Sequence, residues 1–263
     1  MTMGAPFDNA AASYDEEFQT LPGTGRLRRI ILRHAFAAFP PSGSLLELNC
    51  GTGTDAIALA KEGFRVFATD ESSAMVMEAD RKVRASGLES RITCRTLGFN
   101  QLGDLEGQKF DGVFSNLGGL NCAEELGPVG ARLYPLMNPG AIFLAVLLSP
   151  YCVWEMLSFA GRGNGRSALR RLSRGGTTAT IHGSEVRVFF HTPQAVEKAL
   201  RPYFRKKMRL GLNVITPPPA SRRAYSTLRP LIPFLESVED RLARVTPFNI
   251  MGDHYLTMFK RVP

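Results

Sequence analysis

The sequence predicts an α/β protein built on a doubly wound sheet of about seven strands, mostly parallel, with one antiparallel strand near the C-terminal edge. Short strands alternate with helical segments between residues 44 and 148, and these strands are apolar throughout. Alternation of this kind is typical of βαβ units, and continuous apolar strands are typical of a sheet covered on both faces. A strand–helix–strand pattern at the end of the chain predicts the antiparallel strand.

Apolar periodicity, glycines and prolines define the elements of the first half. After a polar segment over 8–20, a helix over 26–39 ends at Pro40 and Pro41. The strands are predicted at 44–48, 65–69, 91–95, 111–115 and 141–148, and the helices between them at 54–62, 73–86 and 122–137. Ligands of such sheets bind beyond the carboxyl ends of the strands, so the residues that follow each strand are the site candidates.

The second half has a different pattern. Residues 161–176 are rich in Gly and Arg, and 178–191 predict a hairpin with a tight turn at Gly183-Ser184. A helix is predicted from Thr192-Pro193 to about residue 203. It is followed by an outer strand over 204–214, an irregular loop over 216–230, a helix over 231–244 and a last strand over 254–260.

Composition excludes several classes of protein. The chain has 263 residues, of which 44% are apolar and 21% charged, which is ordinary for a globular protein and excludes collagen-like and disordered chains. Four separated cysteines predict neither a zinc site nor a disulfide framework, and they favour a cytoplasmic location. The apolar run 141–148 is too short to span a membrane, and residues 1–8 lack the pattern of a secretory signal.

The charge is distributed unevenly along the chain. Residues 1–150 carry 13 basic and 17 acidic side chains, whereas residues 151–263 carry 19 and 7. This asymmetry favours an anionic partner for the second half, such as nucleic acid, an acidic lipid surface or an acidic small molecule. A solvated basic face without a partner explains it equally well.

The residues around the first strand carry the sharpest functional signal. Glu47-Leu48-Asn49-Cys50-Gly51-Thr52-Gly53 follows the strand directly and precedes a helix. Gly51 and Gly53 allow a tight turn and a close approach of a ligand to the backbone. Asp70 ends the second strand, where a carboxylate can accept both hydroxyls of a ribose. Together these features point to a nucleoside cofactor.

Two nucleoside cofactors fit this turn. Ala56 stands at the third glycine position of a dinucleotide-binding turn, and Ala is allowed there, so NAD is not excluded. Glu47, however, places a carboxylate where a pyrophosphate needs positive or neutral surroundings. S-adenosylmethionine carries a sulfonium and an ammonium group and no phosphate, so it suits that carboxylate better.

These segments resemble the class I S-adenosylmethionine-dependent methyltransferases of the small-molecule type. The family's motif acidic-x-Gly-x-Gly-x-Gly matches residues 47–53, with Asn49 in place of the first glycine. Asn tolerates left-handed backbone angles, so the loop can keep its shape. Further matches are residues 7–15 with one extra residue before Tyr14, 68–75, 110–116 and 136–140. The resemblance covers residues 7–148 well.

The resemblance implies a Rossmann-like fold, S-adenosylmethionine as the cofactor, and roles for individual residues. Asp70 would bind the ribose hydroxyls, Gly51 and Gly53 would line the methionine moiety, Tyr14 would close over it, and Met75 would pack on the adenine. The other cofactor-site candidates are Glu47, Asn49, Thr52, Glu71, Gly98, Phe99, Asn100 and Asn116. Gly98 stands where the family often has an acidic residue facing the adenine amine, with the Phe99 backbone and the Asn100 side chain as substitutes.

The reaction implied is direct displacement at the sulfonium methyl, in which the protein mainly aligns the reactants and excludes water. A base is needed only when the acceptor must lose a proton, and the candidates are His191 and Tyr14. The substrate-site candidates are Leu120 and Asn121 after strand four, and Tyr151 and Trp154 after strand five. We expect one domain over 1–263, with an N-terminal helical cap (1–39), a cofactor-binding core (40–148), an inserted lid (149–203) and the C-terminal part of the sheet (204–263).

Three alternatives to a small-molecule methyltransferase stay open at this point. The basic second half favours an RNA methyltransferase, although residues 116–121 lack the Asn/Asp-Pro-Pro-aromatic motif that forms a base pocket. Asn49 and Gly98 fit a non-catalytic S-adenosylmethionine-binding protein on the same fold. An NAD-dependent oxidoreductase is the third. The acceptor, the atom methylated and the oligomeric state do not follow from the sequence.

Overall fold

A seven-stranded sheet forms the centre of the computed structural model, which describes residues 7–173 and 175–263. The strands are β1 (Ser44–Leu48), β2 (Arg65–Asp70), β3 (Ile92–Thr96), β4 (Phe110–Ser115), β5 (Met137–Leu148), β6 (Thr177–Ile181), β7 (Ser184–Val188), β8 (Phe204–Leu212) and β9 (His254–Arg261). The sheet order is β3-β2-β1-β4-β5-β9-β8, while β6 and β7 form a separate hairpin. Strands β1 to β5 are parallel and β9 is antiparallel to both neighbours, which confirms the predicted fold class.

Helices cover both faces of the sheet. They are α1 (Tyr14–Gln19), α2 (Thr24–Ala38), α3 (Thr54–Lys61), α4 (Ser73–Ala85), α5 (Leu126–Leu133), α6 (Val153–Ala160), α7 (Gly165–Ala168), α8 (Pro193–Leu200), α9 (Arg222–Thr227) and α10 (Ile232–Leu242). Within the described residues, none of these helices has the length and apolarity that crossing a bilayer requires.

The central strands are apolar throughout because each face of the sheet has its own core. Leu45, Phe114 and Leu144 point to one face and belong to the same core as apolar residues of α2 and α3. Their chain neighbours Leu46, Val113 and Phe143 point to the other face, where the core includes residues of α5 and α8. Burying one such side chain contributes about 1.5–3 kcal/mol, so the two cores hold β1, β4 and β5 rigidly. The loops at the ends of these strands therefore start from fixed positions.

The predicted helix over 122–137 is wrong at both ends. Residues Gly119–Cys122 form a 3-10 turn, and Glu125 is extended (φ −124°, ψ 127°), so α5 begins only at Leu126. After α5 a 3-10 turn over Tyr134–Leu136 contains Pro135, and β5 then begins at Met137, earlier than the apolar run predicted. The early part of β5 pairs with β4 through an irregularity, which its sequence pattern does not reveal.

Two predictions for the second half also need correction. The hairpin turn is formed by His182 (φ 46°) and Gly183 (φ 80°), one residue before the predicted pair, because a two-residue hairpin loop of this type needs positive φ at both positions. The segment over 216–230 is not wholly irregular, since it contains α9 and a 3-10 turn over Arg229–Leu231.

Residues 1–6 of the predicted N-terminal cap and Arg174 of the arginine-rich stretch lie outside the described residues.

Gly53 gives a direct test of the packing between the turn after β1 and α4. It has φ 75°, and a Cβ there would come within 2.9 Å of the Ala79 side chain. Gly87 has a similar φ of 64° with no atom within 4 Å. We expect Gly87→Ala to cost about 1 kcal/mol of unfolding free energy, and Gly53→Ala roughly 1–3 kcal/mol more, because only the second also overpacks a helix contact. Urea denaturation of both variants measures this, and equal losses would contradict it.

Candidate functional site

A cavity of about 580 Å³ lies at the carboxyl ends of β1, β2 and β4. The sheet order changes direction between β1 and β4, which makes this edge the switch point where ligands of open α/β sheets bind. The walls come from the loops after these strands, from residues Phe7 and Tyr14 near the N-terminus, from Arg28 of α2 and from the β6–β7 hairpin. The cavity therefore lies where the strand ends predicted it.

The turn after β1 exposes its backbone to the cavity. Asn49 (φ 55°), Gly51 (φ 53°) and Gly53 (φ 75°) all have left-handed backbone angles, so Asn49 takes the conformation expected of a residue that replaces glycine. A Cβ on Gly51 would meet no atom within 4 Å, which leaves the main chain open to a ligand. Gly53 does not line the cavity and instead faces Ala79.

The Asp70 carboxylate connects the turn after β1 to the backbone that follows β2. Its Oδ2 accepts a hydrogen bond from the Gly51 N–H at 2.9 Å, and its Oδ1 accepts one from the Ser72 N–H at 2.9 Å. Burial raises the pKa of the Asp70 carboxyl, against the lowering effect of these two donors. Each carboxylate oxygen keeps a further lone pair, and the residue lines the cavity, so two adjacent acceptors are available to a ligand.

Residues 7–19, which we term the N-terminal strap, are held over the cavity by polar contacts. Asp8 Oδ1 accepts a hydrogen bond from Ser72 Oγ at 2.6 Å. Asp15 accepts one from Thr52 Oγ1 at 2.6 Å and pairs with the Lys82 ammonium. Burial opposes ionisation of Asp15, but the hydrogen bonds from Lys82 and Thr52 outweigh it and lower its pKa. These contacts fix Tyr14 at the cavity wall.

Arg28 is a charged residue of the cavity that the sequence does not reveal. Its Nε lies 3.0 Å from Asp55 Oδ1, and its guanidinium lies 5.1 Å from the centre of the Phe18 ring. Asp55 Oδ2 accepts a hydrogen bond from Asn116 Nδ2 at 2.7 Å, so β4, α3 and α2 meet in one charged cluster. Residues 26–33 contain four arginines, and nothing in the sequence marks the one that points inward.

Glu47 lies outside the cavity lining. Its side chain is only 2% exposed, and Oε2 has no hydrogen-bond partner among the described residues. Burial, reinforced by the negative charge of Asp55, raises the pKa of the Glu47 carboxyl well above its ordinary value. Glu47 therefore favours its neutral form in the protein.

Six other predicted cofactor-site residues line the cavity: Thr52, Glu71, Met75, Gly98, Phe99 and Asn116. Glu71 lies directly against Gly98, since a Cβ built on Gly98 would be 3.5 Å from the Glu71 carboxyl carbon. A carboxylate from the end of β2 thus occupies the region where the resemblance expects an acidic residue after β3. Asn100 is exposed and does not line the cavity.

The four predicted substrate-site residues, Leu120, Asn121, Tyr151 and Trp154, do not line this cavity. Leu120 is buried in the core. The Asn121 side chain joins two backbone segments, because Nδ2 donates to Phe189 O at 2.7 Å and Oδ1 accepts from Leu148 N at 2.8 Å. Asn121 therefore acts as a buried link within the fold.

Of the two catalytic candidates, only Tyr14 lines the cavity. His191 Nε2 lies 2.9 Å from the backbone oxygen of Ala123, and burial lowers the pKa of its ring. A backbone oxygen only accepts, so Nε2 donates in this contact, and the ring lies outside the cavity lining.

The β6–β7 hairpin forms part of the cavity wall through Ile181 and residues 185–188. Two polar contacts join it to the N-terminal strap: Asn9 Nδ2 donates to Ser184 Oγ at 3.2 Å, and His182 Nε2 lies 3.1 Å from Glu17 Oε2. Ile181 also packs beside Ala10 and Met75. The two segments cover the cavity together.

Solved structures with the same architecture define the class of this fold. An S-adenosylmethionine-dependent methyltransferase from Clostridium acetobutylicum is 15% identical, with a TM-score of 0.59, over 98% of this chain and 99% of that one. DhpI, solved in complex with SAH, is 16% identical, with a TM-score of 0.59, over 98% of this chain and 94% of that one. At such identities the likeness concerns the fold, which is the Rossmann-like fold of class I methyltransferases.

Sequence comparison adds the family. Residues 45–140 match the family model described as a methyltransferase domain. The release factor glutamine methyltransferase of Moorella thermoacetica is 32% identical over 141 residues, which cover 46% of this chain and 48% of that protein. The chain thus spans about half the length of this curated relative. Residues 45–140 thus match a methyltransferase domain, and this match together with the shared fold confirms the recognition made from the motifs.

Glu47 gives a prediction of pH-dependent stability. Because its native pKa lies above the unfolded value of about 4.3, the unfolded chain releases a proton that the native protein retains, and stability falls as the pH rises above that value. In the Glu47→Gln variant the side chain at this position is an amide, which does not titrate. We expect the variant to gain stability relative to wild type as the pH rises above about 4.3, and to differ little from wild type in this respect below that pH.

Urea denaturation at a series of pH values measures this difference. The exposed Glu89→Gln is the matched control, since Glu89 lies on the surface after α4. A Glu47→Gln effect that is the same at every pH would show that packing rather than ionisation is responsible.

Proposed function

We propose that this protein is a methyltransferase that uses S-adenosylmethionine to methylate a small-molecule acceptor. The observation that carries the proposal is the Asp70 carboxylate, which is oriented by the Gly51 and Ser72 N–H groups and faces a cavity at the switch point of the sheet. Two adjacent acceptors in this position suit the cis hydroxyls of a ribose. When bound, S-adenosylmethionine supplies an activated methyl group on its sulfonium.

The charges around the cavity support a cationic nucleoside. Asp55, Asp70, Glu71 and Glu185 line the cavity together with two arginines, Arg28 and Arg187. Arg28 is paired with Asp55, which reduces the positive field available to a pyrophosphate. A ligand that bears a sulfonium and an ammonium group gains from these carboxylates, whereas a dinucleotide does not. This charge pattern favours S-adenosylmethionine over NAD.

Individual residues then take roles along the ligand. Asp70 binds the ribose, Met75 packs against the adenine, and Glu71 beside Gly98 supplies the carboxylate that faces the adenine amine. At the methionine end, Arg28 binds the carboxylate through its terminal nitrogens, which take part in no hydrogen bond within the described residues. The Asn49–Gly53 turn supports the methionine backbone, as its open main chain at Gly51 allows.

The cover of the cavity supports a small acceptor. Tyr14 of the strap and Ile181 and Val186 of the hairpin limit access to the cavity and exclude water from it. Displacement at an activated methyl needs alignment above all, and a covered site supplies it. Tyr14, whose pKa is raised by burial, stays a neutral hydroxyl that can orient an acceptor.

All four cysteines are free thiols, which supports a cytoplasmic location.

Calorimetric titration with S-adenosylmethionine and S-adenosylhomocysteine tests the proposal. We expect both to bind, and Asp70→Asn to weaken binding roughly 10- to 100-fold, because a neutral amide replaces a charged acceptor of two hydroxyls. Asp104→Asn, an exposed residue outside the cavity, is the control and should bind as wild type does. Binding of NADH without binding of S-adenosylmethionine, or equal binding by both variants, would refute the proposal.

The role of Arg28 is tested with two ligands, one that has the amino-acid carboxylate and one that lacks it. Arg28→Met should weaken S-adenosylhomocysteine binding roughly 10-fold or more, because a charged hydrogen bond to the carboxylate is lost. Methylthioadenosine lacks the amino-acid group, so its affinity should change little between wild type and variant. An equal loss for both ligands would mean that Arg28 acts on the fold and not on the carboxylate.

A further inference from the structure

Helix α6 is an apolar helix that buries none of its residues. Six of the eight residues in its sequence VWEMLSFA are apolar, and all eight are half-buried or exposed. Leu157 is 66% exposed, and the next elements add Leu169 at 55% and Leu172 at 44%. A stable helix normally turns its apolar side to a core. Because α6, α7 and the 3-10 turn after α7 contact one another in sequence, the three exposed leucines on these elements indicate a surface that contacts something apolar.

The same surface is basic. Between residues 153 and 173 the chain has four arginines and a single carboxylate, Glu155. Glu155 is already paired with Arg170 and Arg171. Arg162 and Arg166 are exposed and form no ion pair within the described part of the chain. The segment that carries the exposed leucines thus also carries positive charges that can meet an anionic partner.

This surface is fixed at the edge of the sheet that holds the cavity. The buried Arg171 donates hydrogen bonds to the backbone oxygens of Ser149 and Asp253 at 3.1 Å each, and to Asp253 Oδ1 at 2.8 Å. Its bond to Glu155 Oε2 at 2.7 Å ties α6 to the same point. Ser149 directly follows Leu148, which lines the cavity.

We infer that residues 153–173, the α6–α7 surface, bind an anionic lipid bilayer, with the leucines in the acyl region and Arg162 and Arg166 at the phosphate groups. Interfacial segments combine exposed Leu, Phe and Trp side chains with Lys or Arg in this way, and they enter only the outer layer of the membrane. This peripheral contact requires no membrane-spanning helix. Trp154, half-buried on α6, is a residue type that favours the lipid–water boundary.

A bilayer fits this surface better than a second copy of the chain. Charged residues are depleted in the centre of protein–protein interfaces, and a specific interface buries about 800 Å² per partner. Here the exposed leucines share one short segment with Arg162 and Arg166, which form no ion pair within the described residues, and this segment holds only one eight-residue and one four-residue helix. A second copy would bring arginines against arginines, whereas anionic headgroups neutralise them.

Binding of the α6–α7 surface to a bilayer would bring a lipid acceptor to the cavity. This role for a lipid acceptor rests on the proposed function. The end of β5 joins the cavity wall at Leu148 to the anchor at Ser149. A membrane contact by the α6–α7 surface therefore places the carboxyl edge of the sheet close to the bilayer. The acceptor class that fits is an amphiphile with an apolar chain.

Co-sedimentation of the full chain with vesicles tests the inference. We expect binding to mixed phosphatidylcholine–phosphatidylglycerol vesicles, little binding to pure phosphatidylcholine, and strong weakening at about 1 M salt, where the screening length is about 3 Å. Replacing Leu157, Leu169 and Leu172 by Ser should lower partitioning roughly 10-fold or more. Arg162→Gln with Arg166→Gln should lower it roughly fivefold per arginine.

Met77→Ser is the matched control, because Met77 is 67% exposed but is followed by the acidic Glu78 on α4. It should bind as wild type does. Three results would overturn the inference: equal binding to neutral and anionic vesicles, wild-type binding by the triple Ser variant, or loss of binding in Phe234→Ser alone, which would assign the contact to α10. A dimer that the triple variant abolishes in the absence of vesicles would also overturn it.

Calorimetry with S-adenosylmethionine separates this inference from the proposed function. The triple Ser variant should keep wild-type affinity for the nucleoside, which also shows that it is folded. If the wild type binds anionic vesicles but no S-adenosylmethionine, the docking surface stands and the proposed function fails. If it binds the nucleoside but no vesicles, the docking surface fails and the proposed function stands.

Discussion

The hydrogen bonds from the Gly51 and Ser72 N–H groups to the Asp70 carboxylate hold the site together. They join the turn after β1 to the end of β2, and so they fix the backbone that a nucleoside would approach. The same bonds satisfy one lone pair of each oxygen and leave another free toward the cavity. Left-handed angles at Asn49, Gly51 and Gly53 are what bring the Gly51 N–H to the carboxylate. The cavity, its cover and its charge pattern all depend on this arrangement.

Other charged residues of the site lie near the Asp70 hydrogen bonds. Arg28 and Asp55 form a pair at one end of the cavity, and Asn116 fixes Asp55 from β4. Beneath the turn, the buried Glu47 has no hydrogen-bond partner for Oε2 among the described residues, and its raised pKa favours the neutral form. The sequence analysis took Glu47 to face a cationic ligand. Glu47 lies outside the cavity lining, which leaves Asp55, Asp70, Glu71 and Glu185 as the carboxylates that such a ligand would meet.

The parts of the site that sequence predicted are those set by local chemistry. The turn over 49–53, the left-handed Asn49 and the strand-end Asp70 follow from residue type and from position after a strand. Arg28, the structural role of Asn121 and the hairpin at the cavity wall depend on contacts between segments far apart in sequence, which no local pattern contains. The errors over 122–137 have the same origin, because a 3-10 turn and an irregular strand pairing interrupted an apolar periodicity that a helix would also produce.

The two covers of the cavity differ in how firmly they are held. The N-terminal strap is joined to the core through Asp8 and Asp15, the second of them in an ion pair with Lys82. The β6–β7 hairpin is a two-stranded unit, which has little stability alone, and it contacts the strap through the exposed pairs Asn9–Ser184 and His182–Glu17. The polar contacts between hairpin and strap are exposed, whereas those between strap and core through Asp8 and Asp15 are partly buried, so the hairpin is held to the strap by the weaker polar contacts.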